Sequence, residues 1–372
     1  MDRKILLMYI SEKSGHHQAS IALEKAILKK KPMSSVRKIN AFKYTNPLIE
    51  ILTHKAYMRL IKRRPRVWGR LYDNQSVITK TERFRRFVNN VGSKKIQKLI
   101  NAYKPDAIVC TQAYPCGIVA NFKKRYAARI PLIGALTDFA PHSYWIYDDV
   151  DAYIVPSDEV KDKFVKKGVP QQKINVLGTP INPEFEIAVN KQKVMREYGL
   201  SETSPIVLVM GGTHGIGPNE HLINELGRSE MDFQIIVVTG INRKFLKKIK
   251  KISKTYSKKI IALGFADNIH ELMDISTVIM TKPGGLTIAE ALAKSLPIII
   301  TNPLPGQEDL NTIALTSKGA AVRAESEKDA VKILEELLSN RTKIEEIKKN
   351  MRSYAQPSSS SRIADLLFNM TN

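Results

Sequence analysis

Short apolar runs rich in Val, Ile and Leu alternate along this chain with stretches whose apolar residues recur at helical spacing. Runs that are apolar at nearly every position are typical of parallel strands, because crossover helices cover both faces of such a sheet. The pattern therefore predicts repeated β-α units. The predicted strands are 5–11, 36–42, 106–112, 131–138, 152–157 and 174–180 in the first half, and 205–212, 233–240, 259–265, 277–282, 296–303 and 319–324 in the second.

Two successive sets of β-α units predict an α/β fold made of two doubly wound, Rossmann-like domains. A stretch rich in Gly and Pro, 178–186, interrupts the pattern and marks the boundary. We predict an N-terminal domain at 1–180, a second domain at 187–350 and a C-terminal helix within 351–372. The alternation breaks at 43–104, which is helical in texture and basic.

The composition is that of an ordinary globular protein, with 43% hydrophobic and 26% charged residues among 372. No apolar stretch reaches the ~20 residues that a transmembrane helix needs. The apolar run 5–10 is too short for a signal peptide. Only Cys110 and Cys116 are present, so neither a disulfide framework nor a cysteine-rich metal site is expected. These features favour a cytoplasmic location.

The net charge of +23 is concentrated in one half of the chain. Residues 1–180 hold 34 Lys and Arg against 14 Asp and Glu, a net +20, whereas the other 192 residues hold 25 against 22, a net +3. Within 43–104 the balance is 16 basic to 3 acidic residues. This half is therefore expected to face something negative: nucleic acid, an anionic membrane surface or an anionic ligand.

An anionic membrane is the favoured partner of the basic segment. The stretch "MRLIKRRPRVWGRLY" places Arg63, Arg64 and Arg66 beside Trp68. Basic residues near an anionic bilayer gain ~1 kcal/mol each, and aromatic side chains bury at the headgroup level. No zinc finger, RNA-binding signature or helix-turn-helix pattern is present, so nucleic acid is not expected. For any single Lys or Arg, a plain solvated helix face remains the simpler interpretation.

Two glycine-rich loops follow predicted strands in the second half. "VMGGTHGIGP" places Gly211, Gly212, Gly215 and Gly217 directly after a strand, and "KPGGLTIAEAL" opens a helix at Gly284 and Gly285. Glycine lets backbone N–H groups approach an anion, and a helix N-terminus adds its dipole. Both loops suit a diphosphate, although neither is a Walker loop. The alternatives are a tight turn for the first loop and a capping box of Thr287 with Glu290 for the second.

A carboxylate-and-amide cluster follows the next strand. Gln307, Glu308 and Asn311 lie in "GQEDLN", and such a cluster suits the hydroxyl groups of a sugar. Glu290, one turn into the preceding helix, is placed to accept hydrogen bonds from ribose hydroxyls.

"KPGGLTIAEAL", "LPIIITNPLPGQE" and "VMGGTHGIGP" closely resemble the nucleotide-sugar domain of the monogalactosyl- and glucosyl-diacylglycerol synthases. These are inverting GT-B glycosyltransferases, related to the peptidoglycan enzyme that adds N-acetylglucosamine to lipid I. In the first half "SEKSGHHQAS" resembles the opening glycine-rich loop of the family, and "LTDFAPHSYW" resembles its Thr-Asp strand end. The resemblance spans about 5–350. It implies a GT-B fold, in which two Rossmann-like domains face each other across a cleft.

The resemblance also implies site residues. The UDP diphosphate would be bound by Gly211, Gly212 and Thr213 and by Gly284, Gly285, Leu286 and Thr287. Glu290 would bind the ribose, Phe265 would line the uracil pocket, and Gln307 with Glu308 would meet the sugar. Gly15 and the basic segment would help to form the lipid acceptor site. His17 matches the histidine of the family, and His16 stands where the family has a glycine.

An inverting transfer needs a base for the proton of the acceptor hydroxyl. A neutral imidazole suits that task, so His17 is a candidate, and Asp138 either orients it or is the base itself. Loop amides and a helix dipole stabilise the leaving UDP, so no metal or other cofactor is strictly required. The alternative for His17 is a solvent-facing or capping role at the helix N-terminus.

We therefore expect transfer of a hexose, glucose or galactose, from a UDP-sugar to a lipid hydroxyl, most simply that of diacylglycerol. The enzyme would act peripherally at the inner face of the cytoplasmic membrane. The alternatives are transfer of N-acetylglucosamine to a polyprenyl-linked acceptor, and a non-catalytic binder of nucleotide sugars or nucleic acid. The last helix, 361–370, is expected to pack back on the N-terminal domain, as in the GT-B fold.

Overall fold

The computed structural model describes residues 2–12, 14–47, 90–140, 143–215 and 217–371. The chain forms two compact units. The first comprises Met1–Pro183, Pro305–Gln307 and Gln356–Asn372, and the second comprises Glu184–Leu304 and Glu308–Ala355. Arg63, Arg64, Arg66 and Trp68 lie outside the described residues, so their predicted roles stay predictions.

All twelve predicted strands are present. The first two begin one residue earlier than predicted, and every strand is shorter than predicted at one or both ends. The first unit holds a parallel sheet in the order β2-β1-β3-β4-β5-β6, and the second a parallel sheet in the order β12-β11-β10-β7-β8-β9. The strands are β1 (Lys4–Tyr9), β2 (Ser35–Asn40), β3 (Ala107–Cys110), β4 (Leu132–Ala135), β5 (Ala152–Val155), β6 (Ile174–Val176), β7 (Ile206–Met210), β8 (Gln234–Val238), β9 (Ile260–Leu263), β10 (Val278–Thr281), β11 (Ile298–Ile300) and β12 (Ala321–Arg323).

α-Helices connect the successive strands of both units except β4 and β5, between which lies a 3-10 turn. This gives the two doubly wound, Rossmann-like arrangements that the pattern predicts. Residues 90–103 are also helical, and short 3-10 turns lie at Ser143–Trp145, Gln171–Lys173 and Pro183–Glu186. The labelled helices are α1 (Gly15–Lys30), α2 (Ala41–Thr45), α3 (Ala113–Tyr126), α4 (Asp158–Lys166), α5 (Lys191–Glu197), α6 (Glu220–Arg228), α7 (Arg243–Ile252), α8 (Ile269–Ile275), α9 (Gly285–Ala293), α10 (Gln307–Thr316), α11 (Glu327–Ser339), α12 (Arg341–Tyr354) and α13 (Ser359–Met370).

The central strands are buried on both faces. Every residue of β3, β4, β5, β7, β8 and β10 is buried, which explains why these strands read as continuous apolar runs. The core of each unit therefore lies along its sheet, and the carboxyl ends of the strands carry the loops in which the predicted site residues lie.

The last helix, α13, belongs to the first unit and packs on α1. Ile363 and Leu367 are buried in a cluster with Leu23 and Ile27 of α1. At the edge of this contact, the Lys30 ammonium lies 2.7 Å from the Asp365 carboxylate. Among the helices that the structure describes, none is long and apolar enough to cross a bilayer.

Candidate active site

The topology of the second sheet selects one place for a ligand. Strands β7 and β10 are neighbours, and the chain winds in opposite directions from them, to β8 and β9 on one side and to β11 and β12 on the other. In open α/β sheets, ligands bind beyond the carboxyl ends of the strands at such a switch point. The loop 211–217 leaves β7 and the turn at 282–284 leaves β10. The two glycine-rich motifs thus come together at the switch point.

Glycines in the first loop are required by close backbone packing. A Cβ on Gly215 would lie 2.3 Å from the Thr239 carbonyl oxygen, and one on Gly240 would lie 2.2 Å from the Thr213 carbonyl oxygen. Both residues also have positive φ. The Ile241 N–H donates to the Thr213 carbonyl at 2.9 Å, which ties this loop to the end of β8. A tight turn is therefore sufficient to explain the glycine at position 215, without a ligand.

Gly284 has a different reason for being glycine. Its φ is −71°, which any residue adopts, and a Cβ there would meet no atom within 4 Å. The fold therefore does not require glycine at this position, whereas a ligand that approaches the backbone would. Gly284 is also the N-cap of α9, and no side chain caps the helix, so the alternative of a capping box is not realised. The amide groups of Gly285, Leu286 and Thr287 open the helix and suit an anion.

Glu290 lies one turn further along α9. Burial disfavours the charged form of its carboxyl group and raises its pKa to about 8. Hydroxyl groups that donate hydrogen bonds to this carboxyl group would stabilise its charged form and lower its pKa.

A buried ion pair that the sequence analysis missed supports the same site. The Lys282 ammonium, at the end of β10, contacts Glu308 Oε1, with 19% and 10% of the two side chains exposed. The Lys282 side chain runs beside the first loop, since a Cβ on Gly212 would lie 3.9 Å from Lys282 Cε. The signal in the sequence was a lysine directly before Pro-Gly-Gly at a strand end. Lys282 brings a positive charge to the place where a diphosphate is predicted.

The three polar residues predicted to meet the sugar, Gln307, Glu308 and Asn311, have different surroundings in α10. Glu308 uses both carboxylate oxygens, because Oε2 also accepts the Leu304 N–H at 2.8 Å. Asn311 is fully buried and donates to the Pro283 carbonyl at 3.0 Å. The expectation that Asn311 meets the sugar is therefore wrong, since its amide holds the turn before α9. Gln307 opens α10.

Phe265, in the loop after β9, leaves 47% of its surface exposed. An exposed aromatic ring is open to stacking against a base, so its uracil role stays a prediction, as do those of Gln307 and Glu308.

The first unit has an equivalent switch point between β1 and β3, and His16 lies there. His16 Nδ1 is 2.8 Å from the Thr111 carbonyl oxygen, beyond β3, and 3.1 Å from Thr137 Oγ1, beyond β4. Thr111 Oγ1 donates in return to the His16 carbonyl at 2.8 Å. Thr137 Oγ1 also donates to Asp138 Oδ2, at 3.4 Å.

These contacts define the state of the His16 ring. A carbonyl oxygen only accepts, so Nδ1 carries the proton and Nε2 keeps its lone pair. Burial lowers the pKa of His16, while Asp138 and the Thr111 carbonyl act in the opposite direction. The ring is therefore neutral at physiological pH, and a nearby carboxylate is positioned to stabilise the charge that it gains with a proton.

His17, the histidine that the resemblance selects, has other neighbours. Consecutive helical residues point about 100° apart, so His17 faces β1. Its ring stacks on Tyr9 with centroids 4.4 Å apart, and Nδ1 lies 3.8 Å from Glu12 Oε2. Burial lowers its pKa and Glu12 opposes this. Gly15, exposed, is the first residue of α1, which the Ser14 side chain caps through the His17 N–H.

No group of three or more His, Cys, Asp or Glu side chains suited to a metal ion converges within the described parts of the chain.

Both halves of the chain match known families. Residues 16–181 match the monogalactosyldiacylglycerol (MGDG) synthase family, and residues 206–367 match the glycosyltransferase family 28 C-terminal domain. A processive diacylglycerol beta-glucosyltransferase of Bacillus pumilus is 30% identical over 98% of this chain and 94% of its own length.

Solved structures agree on the fold. MurG of Acinetobacter baumannii superposes with a TM-score of 0.66 at 15% identity, covering 99% of both chains. Anabaena HepE, solved in complex with UDP-glucose, superposes with a TM-score of 0.58 at 15% identity, covering 99% of this chain and all of its own. The GT-B expectation is thereby confirmed at the level of two Rossmann-like domains.

Proposed function

Because this chain belongs to the diacylglycerol glucosyltransferase family, we propose that it transfers glucose from UDP-glucose to the hydroxyl group of diacylglycerol. The chain is a glycosyltransferase that uses a UDP-sugar and a lipid acceptor. The observation that carries the proposal is the full-length similarity to a relative of that activity, 30% identical over 98% of the chain. The site residues and the membrane surface below are part of the proposal.

The second unit binds the UDP moiety. The uncapped amides at the start of α9 and the Lys282 ammonium bind the diphosphate, and Glu290 accepts hydrogen bonds from the ribose. Negative charge develops on the diphosphate as the bond to the sugar breaks. The same amides and ammonium stabilise that charge, so the reaction proceeds without a metal ion.

In the first unit, His16 is the general base. The acceptor oxygen attacks the anomeric carbon, the bond from that carbon to the UDP oxygen breaks, and the hydroxyl proton moves to His16 Nε2. The support is the neutral ring held through Nδ1 by the Thr111 carbonyl, with Asp138 near enough to favour the imidazolium that forms. His17 stacks on Tyr9 instead, which favours a supporting role for the histidine selected by resemblance.

The enzyme works at a membrane surface, the inner face of the cytoplasmic membrane. The glycolipid activity of the relatives and the 16 basic residues against 3 acidic ones in 43–104 support this location. The basic segment binds anionic headgroups and brings the first unit to its lipid acceptor.

The test is UDP release by purified protein with UDP-glucose, UDP-galactose or UDP-N-acetylglucosamine, with and without diacylglycerol in mixed micelles. We expect lipid-dependent release with UDP-glucose. His16→Ala is expected to lower kcat about 10²–10⁴-fold, and its matched neighbour His17→Ala only a few-fold. Release that requires a polyprenyl phosphate acceptor would refute the substrate assignment. A larger loss in His17→Ala than in His16→Ala would refute the base assignment.

A further inference from the structure

Helix α7 and the loop after it carry a segregated positive charge in the second unit. Residues 241–266 contain nine Lys and Arg and no Asp or Glu, although the second half of the chain is nearly neutral overall. The basic residues are Arg243, Lys244, Lys247, Lys248, Lys250, Lys251, Lys254, Lys258 and Lys259. Averaging over the whole half conceals this surface, which we call the α7 basic face.

The basic residues of α7 share one side of the helix. At about 100° per residue, its six Lys and Arg fall within an arc of about 160°. All six are exposed, as is Lys254 in the turn after the helix, whereas Phe245 and Ile249, on the opposite side, are buried. The Asn242 side chain caps the helix by accepting the Phe245 N–H at 3.0 Å. The fold therefore holds these charges together on a rigid, outward-facing element.

Few acidic groups balance this face. Glu220 of α6 pairs with Lys248, and the negative charges of Asp232 and Glu335 favour the charged form of Lys258. Among the described residues, Lys244, Lys247 and Lys251 form no ion pair. Like charges three and four positions apart destabilise a helix, so the arrangement opposes the stability of α7. An external anionic partner would offset that repulsion.

We infer that the α7 basic face binds an anionic lipid bilayer. This inference rests on the proposed function, since the acceptor of the reaction is a membrane lipid. Six exposed basic side chains on one helix face, with Lys254 in the turn beyond it, complement a negatively charged surface, and each gains attraction close to it. The exposed positions of α7 include no aromatic residue on which a base would stack, which disfavours a single-stranded nucleic acid. The second unit thus has its own membrane contact, separate from the basic segment at 43–104.

The test is partition of the full-length protein onto vesicles of phosphatidylcholine with about 30% phosphatidylglycerol, at low ionic strength. The variant Lys244→Gln/Lys247→Gln/Lys251→Gln keeps helix-forming residues and removes three charges. We expect its partition constant to fall about a hundredfold. The matched control is Lys343→Gln/Lys348→Gln/Lys349→Gln on α12. Lys343 pairs there with Glu336 and Lys348 with Glu345, and we expect little change.

A second variant, Lys250→Gln/Lys254→Gln, removes two charges at other positions, and we expect its partition constant to fall about thirtyfold. A folding defect in one variant therefore does not decide the result. Partition equal to wild type in both variants overturns the inference, as does an equal loss in the α12 control. Binding of a single-stranded RNA that depends on α7, with vesicle partition unaffected, also overturns it.

Sugar transfer in neutral detergent micelles separates this inference from the proposed function. Unchanged transfer by the α7 variants, together with weaker partition, supports both. If the wild type transfers no sugar but its partition still depends on α7, the proposed function is refuted and the inference about the α7 basic face stands.

Discussion

If Glu290 binds the ribose as we propose, its carboxyl group makes UDP binding a proton-linked reaction. In the free protein, burial raises its pKa to about 8, so the group is protonated at pH 6. In the proposed complex, two ribose hydroxyls donate to it and stabilise the charged form, which lowers the pKa. Binding of UDP below pH 8 therefore releases a proton, and the affinity rises with pH until the free protein is itself ionised.

The size of this effect follows from the pKa. For a group with a pKa of about 8 in the free protein and an ionised group in the complex, the association constant rises about 90-fold between pH 6 and pH 9. Most of the rise falls below pH 8. The terminal phosphate of UDP also ionises, near pH 6, so the Glu290→Gln variant serves as the reference for that contribution.

Isothermal titration calorimetry in buffers of different ionisation enthalpy measures both quantities. We expect the ratio of wild-type to Glu290→Gln affinity to rise about 90-fold from pH 6 to pH 9. At pH 6 the wild type should release about one more proton per UDP than the variant. Parallel pH profiles for the two proteins would show that Glu290 does not meet the ligand as a carboxylate, and the ribose assignment would fail.

Three further predictions concern the rest of the structure. Lys282→Met leaves the Glu308 carboxylate without its cation, so the second unit should lose about 2–4 kcal/mol of stability. Hydrogen exchange of its amides measures the loss, and the double variant Lys282→Met/Glu308→Gln should restore most of it. Leu367→Ala in α13 should lower the free energy of unfolding by about 2–5 kcal/mol, measured in urea by tryptophan fluorescence. Asp365→Asn, in an exposed ion pair, should lower it by less than about 1 kcal/mol. Glucose transfer should persist in EDTA, and activity restored only by added Mg²⁺ or Mn²⁺ would refute the metal-free proposal.

The strands were predictable because the physics that buries them acts on every residue. A central parallel strand such as β7 is covered on both faces, so each of its positions is apolar and the run stands out in the sequence. The glycine loops were predictable for the same reason, since they follow directly from the ends of those strands.

The orientation of the two histidines was not predictable from the sequence. His16 and His17 are adjacent, so a rotation of about 100° decides which one reaches Thr111. That rotation depends on where α1 begins and on how its buried face packs. Similarity of motif selected His17, whereas packing directs His16 to the switch point.

Polar residues were the other difficulty. Asn311 is polar and follows a strand, so in the sequence it suits a ligand for a sugar. In the fold, Asn311 is fully buried and donates to the Pro283 carbonyl. Glu308 pairs with Lys282, and its contact with the sugar stays a prediction. The sequence does not distinguish a polar side chain that supports a turn from one that binds a ligand. The two differ only in whether their hydrogen-bond partner is a backbone group or the ligand.

The placement of α13 has a consequence for biosynthesis. The apolar surface formed by Ile5, Leu23 and Ile27 is covered by Ile363 and Leu367, which the ribosome adds more than 300 residues later. Apart from Pro305–Gln307 and the segment Gln356–Asn372 that contains α13, the first unit is complete by Pro183, some 176 residues before α13 begins at Ser359. At about 5–20 residues per second, that surface waits roughly 10–35 s for its cover. During this interval the nascent chain presents a hydrophobic face to chaperones and to neighbouring polypeptides, and the N-terminal unit reaches its native state only after the second unit has been synthesised.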